Sequence, residues 1–155
     1  MRVLLQRVKH ASVKVDATVC GQIEQGFLLL VGITDTDTEE IVKKLASKCA
    51  QLRVFEDENG KLNQGLQDVK GKILSISQFT LYADCRKGRR PSFDRAAKGE
   101  IAKPLYELFN KELESYGIVV ETGIFGADMK VELLNDGPVT ILLDSDEWVG
   151  NCIWK

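Results

Sequence analysis

Hydrophobic residues in much of the chain are spaced as in β-strands. From Arg2 to Val15 apolar and polar residues alternate, which puts the side chains of Val3, Leu5, Val13 and Val15 on one face. The segment from Phe27 to Ile33 is apolar throughout, as in a strand buried on both faces. Shorter apolar runs predict further strands at 53–55, 72–83, 118–123, 129–134 and 139–144.

Two other segments have the spacing of amphipathic helices. The first follows the capping hydroxyls and carboxylates of Thr34 to Glu40, and its apolar positions are Ile41, Leu45, Cys49 and Leu52. The second has apolar residues at Ile101, Leu105, Leu108, Phe109 and Leu113, and is expected to end at Gly117. Pro104 is tolerated only in a first turn, so the start of this helix is left open.

Two helices among many strands, several of them in direct succession, indicate an α+β fold. We expect a strongly curved, barrel-like, mostly antiparallel sheet with two main flanking helices. The chain has 155 residues, of which 44% are hydrophobic and 28% charged. This composition is typical of a globular protein, and the length predicts one domain over 1–155.

Membrane insertion and secretion are not indicated. The longest apolar runs, such as Phe27–Val31, are far shorter than the roughly 20 residues that cross a bilayer. Charged and polar residues near the amino terminus interrupt any signal-peptide pattern. We therefore expect a cytoplasmic protein with no membrane partner.

Cysteine and histidine usage limits the possible chemistry. The four cysteines have no CxxC spacing, and without a secretion signal their thiols are expected to be reduced. His10 is the only histidine, which argues against a zinc site and makes His10 the only histidine base for a serine triad. We predict no metal and no cofactor.

A polar pair ends the apolar run Ile73–Ile76. The sequence Ser-Gln-Phe-Thr-Leu follows at 77–81, and strand alternation puts Gln78 and Thr80 on the face of Leu74 and Ile76. Such a pair has either a structural partner or a ligand, and an isolated threonine is more often an edge residue of a sheet.

A Gly-Pro dipeptide precedes the last predicted strand, within Asn-Asp-Gly-Pro-Val-Thr at 135–140. Proline cannot donate to a β-ladder, so something other than sheet pairing accounts for it. The simplest alternative is a turn into the strand.

In this order, and in a chain of this length, the two motifs resemble those of the D-aminoacyl-tRNA deacylase family. The resemblance runs from the opening Met1–Val8 to about Asp144, and leaves 145–155 as a C-terminal extension of unknown role. It implies a homodimer with the active site at the subunit interface. The implied reaction is hydrolysis of the ester at the 3′ CCA end of D-aminoacyl-tRNA, and of glycine mischarged on tRNA for alanine, as translation quality control.

The resemblance also implies site residues. The catalytic segment would be Ser77, Gln78, Phe79 and Thr80. The Gly137-Pro138 peptide would be cis and would enter the partner's pocket, where its carbonyls exclude the side chain of an L-amino acid. Arg7 would support that loop, and Phe125 and Met129 would form the pocket wall.

Ester hydrolysis needs donors aimed at the oxygen on which charge develops. Backbone N–H groups around Phe79 and Thr80 can supply them if the strand end is free of ladder pairing. No histidine or lysine lies within the motif to activate Thr80, so we expect its hydroxyl to orient water rather than to attack.

A cationic run follows this motif in a chain whose net charge is −2. We expect its side chains, Arg86, Lys87, Arg89 and Arg90, to contact tRNA phosphates. Two alternatives stay open. One is a non-catalytic module that binds RNA ends through this run; the other is a general ester or thioester hydrolase that depends on His10 or Cys85.

Overall fold

The structure, a computed structural model, describes residues 1–148 and places the long first strand at the centre of a mixed sheet. The strands are β1 (Arg2–Val15), β2 (Thr18–Ile23), β3 (Gly26–Gly32), β4 (Arg53–Glu56), β5 (Leu62–Gly65), β6 (Lys72–Ser77), β7 (Val120–Thr122) and β8 (Lys130–Asp144). The helices are α1 (Glu39–Gln51) and α2 (Gly99–Glu114), with 3₁₀ turns at Phe79–Tyr82 and Ser145–Trp148.

Strand β1 pairs antiparallel with β8 along one edge, and with β3 and then β2 along the other. Strands β3, β6 and β7 are parallel neighbours, because α1 and α2 lie in the two crossover connections. The ends of the sheet approach each other at Gly21 of β2, where a Cβ would lie 2.7 Å from the Thr122 carbonyl oxygen. The sheet is therefore nearly closed and barrel-like, with two helices outside and in one domain, as predicted.

The apolar residues divide into two cores. The larger core lies between the sheet and both helices, and the smaller one includes Val8, Val13 and Leu28. Between Val8 and Ala11 strand β1 has one residue more than β8, a bulge that reverses side-chain alternation. Val3 and Leu5 consequently lie in the larger core and Val13 in the smaller one, so the expectation of one continuous face was wrong.

Several predicted boundaries differ. The strand predicted at 72–83 ends at Ser77, and the strands predicted at 129–134 and 139–144 belong to the single strand β8. Strands β2 and β5 were not predicted. Their sequences carry glycine and polar residues and resemble loops.

Helix α1 begins as predicted, with the Thr38 side chain accepting a hydrogen bond from the Ile41 N–H. In α2, Pro104 lies in the second turn, not the first, since the helix already begins at Gly99. The hydrogen bond that Pro104 cannot donate would have gone to the carbonyl of Glu100, which is an exposed residue.

The C-terminal extension is described only to Trp148; residues 149–155 lie outside the described part of the chain. At its start, Ser145 accepts a hydrogen bond from the buried Met1 ammonium at 2.7 Å, and Asp37 pairs with the same group at 2.6 Å. Within residues 1–148 no helix is long and apolar enough to cross a membrane. Cys20, Cys49 and Cys85 are free thiols.

Candidate active site

A cavity of about 410 Å³ opens at the carboxyl ends of the parallel strands β3 and β6. Ser77, Gln78 and Phe79 form one side of it, and Phe125 and Met129 lie in the wall. The other lining residues are Val31, Ile33, Ile76, Ala97, Gly99, Ala102, Tyr106, Gly126, Ala127, Asp128 and Val131. The cavity thus combines a mainly apolar wall with one polar strand end.

The strand end is formed by a change of backbone direction at Gln78. The Gln78 N–H donates to the Val31 carbonyl at 2.7 Å, the last hydrogen bond between these two segments. The chain then enters the 3₁₀ turn Phe79–Tyr82, which the Leu81 N–H closes onto the Gln78 carbonyl at 3.3 Å. Thr80 therefore does not share a strand face with Leu74 and Ile76, and that prediction was wrong.

The turn leaves two backbone donors at the mouth of the cavity. The first N–H groups of a helical turn have no partner within it, and here these groups belong to Phe79 and Thr80. The Gln78 side chain does not cap them; its amide donates to the Thr80 Oγ1 instead. Phe79 itself lines the cavity and Thr80 follows it, and within the described residues 1–148 neither N–H has an acceptor, so both can donate to a bound oxygen.

Thr80 itself lies at the rim. Its side chain is exposed, and it is not among the lining residues. The described lining residues include no histidine, lysine or cysteine. The ionisable ones are Asp128, which pairs with Lys130 at 3.0 Å, and Tyr106, whose hydroxyl donates to the Ser75 carbonyl at 2.7 Å. Burial raises the pKa of Tyr106, which keeps it a neutral donor.

Arg2 holds the 3₁₀ turn from behind. Its Nη1 donates to the Leu81 carbonyl at 2.7 Å, and its Nε pairs with Asp144 at 3.0 Å. The guanidinium also lies 4.6 Å from the ring centroid of the buried Tyr82, and that of Arg95 lies 5.5 Å from it. The turn is thus fixed to the sheet by a charge-assisted hydrogen bond and by a buried ring.

Helix α2 supplies part of the wall that the sequence did not indicate. Gly99, Ala102 and Tyr106 line the cavity, and the Tyr106 ring lies 5.9 Å from that of Phe125. Their spacing of three and four residues marks one helical face. That spacing was the available signal, but it is equally typical of core packing.

The Gly137-Pro138 peptide lies in a bulge of β8 and is cis. Gln6 is opposite Thr140 and Val8 is opposite Asn135, so the segment 136–139 faces Arg7 alone. The Asn135 amide closes the bulge by donating to the carbonyls of Arg7 and Val139, each at 3.0 Å. A plain turn between two strands was therefore the wrong alternative.

Arg7 is only 6% exposed and lies under this bulge. Its Nη1 donates to the Val54 carbonyl at 2.6 Å, and its Nε donates to the Asp136 carbonyl at 3.1 Å. The Asp136 carboxylate lies 3.4 Å from the same Nε. These contacts connect the bulge to strand β4.

Gly137 and Pro138 are exposed and do not line the cavity of their own chain. Gly137 has a φ of +127°, and a Cβ added there would lie 3.0 Å from the Arg7 Nη2. The bulge therefore presents its backbone outward, supported from below by a buried guanidinium.

The cationic run forms an exposed loop. Asp84 and Ser92 close this loop by exchanging backbone hydrogen bonds of 2.7 and 2.9 Å. Arg86 folds back onto Asp84, at 2.9 and 2.8 Å, and this pairing lowers the pKa of Asp84 to about 2. Within residues 1–148 no ion pair involves Arg89 or Arg90, and both are exposed. Those two guanidiniums are the ones available to an anion.

Among residues 1–148, no three His, Cys, Asp or Glu side chains are clustered closely enough to hold a metal ion. His10 is exposed on β1 and does not line the cavity. Cys85 lies in the cationic loop, also outside the cavity wall.

Comparison with known proteins gives consistent matches over nearly the full length. The profile of the family described as D-Tyr-tRNA(Tyr) deacylase matches residues 4–144. A D-aminoacyl-tRNA deacylase of Exiguobacterium sibiricum is 65% identical over 144 residues, which is 93% of this chain and 99% of that one. One from Thermus aquaticus is 58% identical and covers 97% of this chain and 99% of its own.

Two solved structures share the fold. The c-Myc DNA unwinding element binding protein is 39% identical and superposes with a TM-score of 0.88 over 94% of this chain and 99% of its own. A probable eukaryotic D-amino acid tRNA deacylase is 17% identical, with a TM-score of 0.79 over 92% of this chain and 97% of its own. The second likeness concerns the fold alone.

Proposed function

The chain belongs to the D-Tyr-tRNA(Tyr) deacylase family, and we propose that it hydrolyses the ester bond of D-aminoacyl-tRNA to a free D-amino acid and tRNA. The observation that carries this proposal is the pair of Phe79 and Thr80 N–H groups beside the cavity, for which no acceptor lies among residues 1–148. The cavity is large enough for a terminal nucleoside or an aminoacyl group. An aminoacyl ester is also activated enough to react without a strong base.

Positioning and oxyanion stabilisation then account for most of the catalysis. Water attacks the ester carbonyl, and the two N–H groups stabilise the charge that develops on its oxygen. The intermediate then collapses with cleavage of the bond to the ribose oxygen, which leaves as a hydroxyl with the proton that the water gives up. The 2′-hydroxyl of the terminal ribose is on the carbon next to the one that carries the ester, so it is close enough to assist the hydrolysis. Thr80 orients groups at the rim through its hydrogen bond with Gln78 and forms no covalent intermediate.

Chiral selection is assigned to the Gly137-Pro138 bulge of a second subunit. The bulge is exposed and lies away from its own cavity, so it is free to enter the pocket of a partner in a homodimer. There its backbone would occupy the volume that the side chain of an L-amino acid needs. Glycine has no side chain, so glycine mischarged on tRNA for alanine would pass the same filter. Clearing both esters is quality control in translation, where charging enzymes discriminate weakly between small differences.

The acceptor end of tRNA would approach along the cationic loop. Arg89 and Arg90 form no ion pair within residues 1–148 and suit the phosphates of the CCA end, with Lys87 beside them. Arg86 contributes less, because its guanidinium is already paired with Asp84. Phe125 and Met129 supply apolar wall against the adenosine or the amino acid.

The decisive experiment is metal-free hydrolysis of D-Tyr-tRNA beside L-Tyr-tRNA by the purified protein. We expect rapid loss of the D ester while the L ester persists. Equal cleavage of both esters would still indicate an esterase but would contradict the chiral filter. Cleavage of neither would contradict the deacylase.

A nucleic-acid-binding module without catalysis is the second candidate, favoured by the exposed cationic loop. It requires Arg89 and Arg90 to matter while Gly137 and Thr80 do not. A general esterase would instead depend on His10 or Cys85. We expect His10→Ala and Cys85→Ala to retain turnover within about twofold, because neither residue lines the cavity.

A further inference from the structure

Two phenyl rings are exposed at the mouth of the cavity. Phe79 is 57% exposed and Phe93 is 36% exposed, whereas Phe27, Phe55 and Phe109 are buried. The centroids of the two exposed rings lie 5.1 Å apart at an interplanar angle of 71°, an edge-to-face pair. An aromatic pair that stays open to solvent beside a cavity is a candidate contact surface.

Phe93 is held in place by its backbone. It follows Ser92, which closes the cationic loop on Asp84, and its carbonyl accepts a hydrogen bond from the Ala96 N–H at 3.0 Å. Ala96 in turn forms a bridge with Thr34, and Ala97 donates to the Ile33 carbonyl at 2.9 Å. The ring is therefore presented from a fixed segment, which lowers the entropy lost when a ligand stacks on it.

The position of Phe93 relates the cavity to the cationic loop. Phe79, its ring partner, lines the cavity, and Arg89 and Arg90 precede Phe93 by four and three residues, in the cationic loop that ends at Ser92. A single-stranded nucleic acid that leaves the cavity toward these guanidiniums passes the aromatic pair. Proteins bind such strands by combining cations for the backbone with aromatic rings for the bases.

We propose that Phe93 stacks on the base of the nucleotide that precedes the terminal adenosine of tRNA. This inference rests on the proposed function and adds a binding residue for the RNA part of the substrate. The occupant is an unpaired RNA base, since the two rings are exposed and Arg89 and Arg90, which precede Phe93 in sequence, form no ion pair within residues 1–148. Phe93 contacts no reacting atom and acts on substrate binding.

The test separates the RNA part of the substrate from the ester. Phe93→Ala is compared with wild type on D-Tyr-tRNA and on D-tyrosyl-adenosine, which lacks the preceding nucleotide. We expect kcat/KM to fall about 5- to 150-fold on the tRNA, the effect of one stacked base, and to stay within twofold on the adenosine ester. Phe93→Trp should keep kcat/KM on D-Tyr-tRNA near the wild-type value. Phe93→Leu should lower it like Phe93→Ala, because leucine fills space without an aromatic face.

Two further measurements distinguish a failure of this inference from a failure of the proposed function. Val119→Ala, another exposed apolar residue, leaves both kcat/KM values unchanged. Calorimetry measures the binding of a CCA trinucleotide and of adenosine without hydrolysis. Phe93→Ala should weaken binding of the trinucleotide only. An equal loss on both substrates, or unchanged trinucleotide binding, would overturn the inference. If wild type cleaves neither ester but Phe93→Ala still weakens the trinucleotide, the proposed function fails and the stacking contact stands.

Discussion

Phe79 presents two separable groups to the cavity, a backbone N–H and a phenyl ring. It is the first residue of the 3₁₀ turn, where proline is compatible with the backbone because the N–H has no partner in the turn. Gln78 precedes it with φ −143° and ψ 82°, outside the helical region that proline disfavours.

Phe79→Pro is therefore predicted to remove one oxyanion donor, and Phe79→Ala to remove the ring alone. We expect kcat for D-Tyr-tRNA to be about 10²- to 10³-fold lower in Phe79→Pro than in Phe79→Ala, the usual cost of losing one such donor. Single-turnover kinetics of both variants give this ratio. Similar rates would show that the Phe79 N–H does not stabilise the transition state.

Gly137 is the residue at which a single methyl group should alter chiral selection. A Cβ there would lie 3.0 Å from both the Arg7 Nη2 and the Val139 Cγ2, in a backbone with φ +127°. Gly137→Ala must therefore displace the bulge, at a cost of about 1–3 kcal/mol in the free energy of unfolding.

The expected functional result is that L-Tyr-tRNA becomes a substrate and the D-to-L ratio of kcat/KM falls at least about tenfold, since a displaced bulge no longer excludes the L side chain. Gly60→Ala is the control, because Gly60 also has a positive φ, of +75°, but nothing lies within 4 Å of its added Cβ. Gly60→Ala should keep the ratio. If both variants kept it, Gly137 would not belong to the filter.

At the scale of secondary structure, the cationic loop is an independent unit. It is closed by the Asp84–Ser92 pair, so side chains at its tip can change without altering the cavity. For each phosphate contact to single-stranded nucleic acid, the logarithm of the association constant falls by about 0.7 when the salt concentration rises tenfold.

Arg89→Ala combined with Arg90→Ala is predicted to reduce the slope of log KM against log salt by about 1.4. The kcat at saturating D-Tyr-tRNA should be unchanged. Lys44→Ala, which removes an exposed cation on α1, serves as the control. A slope that is unaffected by the double change would remove the loop from the tRNA contact.

Elements were predictable where local pattern and tertiary packing agree. The extent of strand β1, the apolar run of β3 and the capped helix α1 follow from the local sequence, although the bulge that reverses the faces of β1 does not. The end of β6 was not predictable. Phe79, Thr80 and Tyr82 favour strands locally, and the turn is held by Arg2, which lies 79 positions before the carbonyl that it binds.

The candidate site shows the same division. Phe125 and Met129 entered through the family resemblance, since an apolar residue by itself indicates only core. Tyr106 and Ala102 were missed because a cavity wall on a helix has the same periodicity as a packed face. The bulge at Gly137 depends on Arg7, Asn135 and Val54, which are brought together only by the folded sheet.

At the scale of the whole molecule, the proposed filter and the proposed oxyanion donors belong to different subunits of each site. A homodimer with twofold symmetry places two equivalent copies of this arrangement. A chain that carries Gly137→Ala would have intact donors, and a chain that carries Phe79→Pro would have an intact filter. Mixing the two chains therefore tests whether the filter acts across the interface.

With subunit exchange and a tenfold excess of the Phe79→Pro chain, nearly every Gly137→Ala pocket receives an intact Gly137-Pro138 bulge. We predict that L-Tyr-tRNA hydrolysis by the Gly137→Ala chain then falls by about tenfold, whereas D-Tyr-tRNA hydrolysis persists. Excess of a chain with both substitutions is the matched control and should leave L-Tyr-tRNA hydrolysis unchanged. If the Phe79→Pro chain also left it unchanged although exchange was complete, the bulge would act within its own chain and the dimer would not be part of chiral selection.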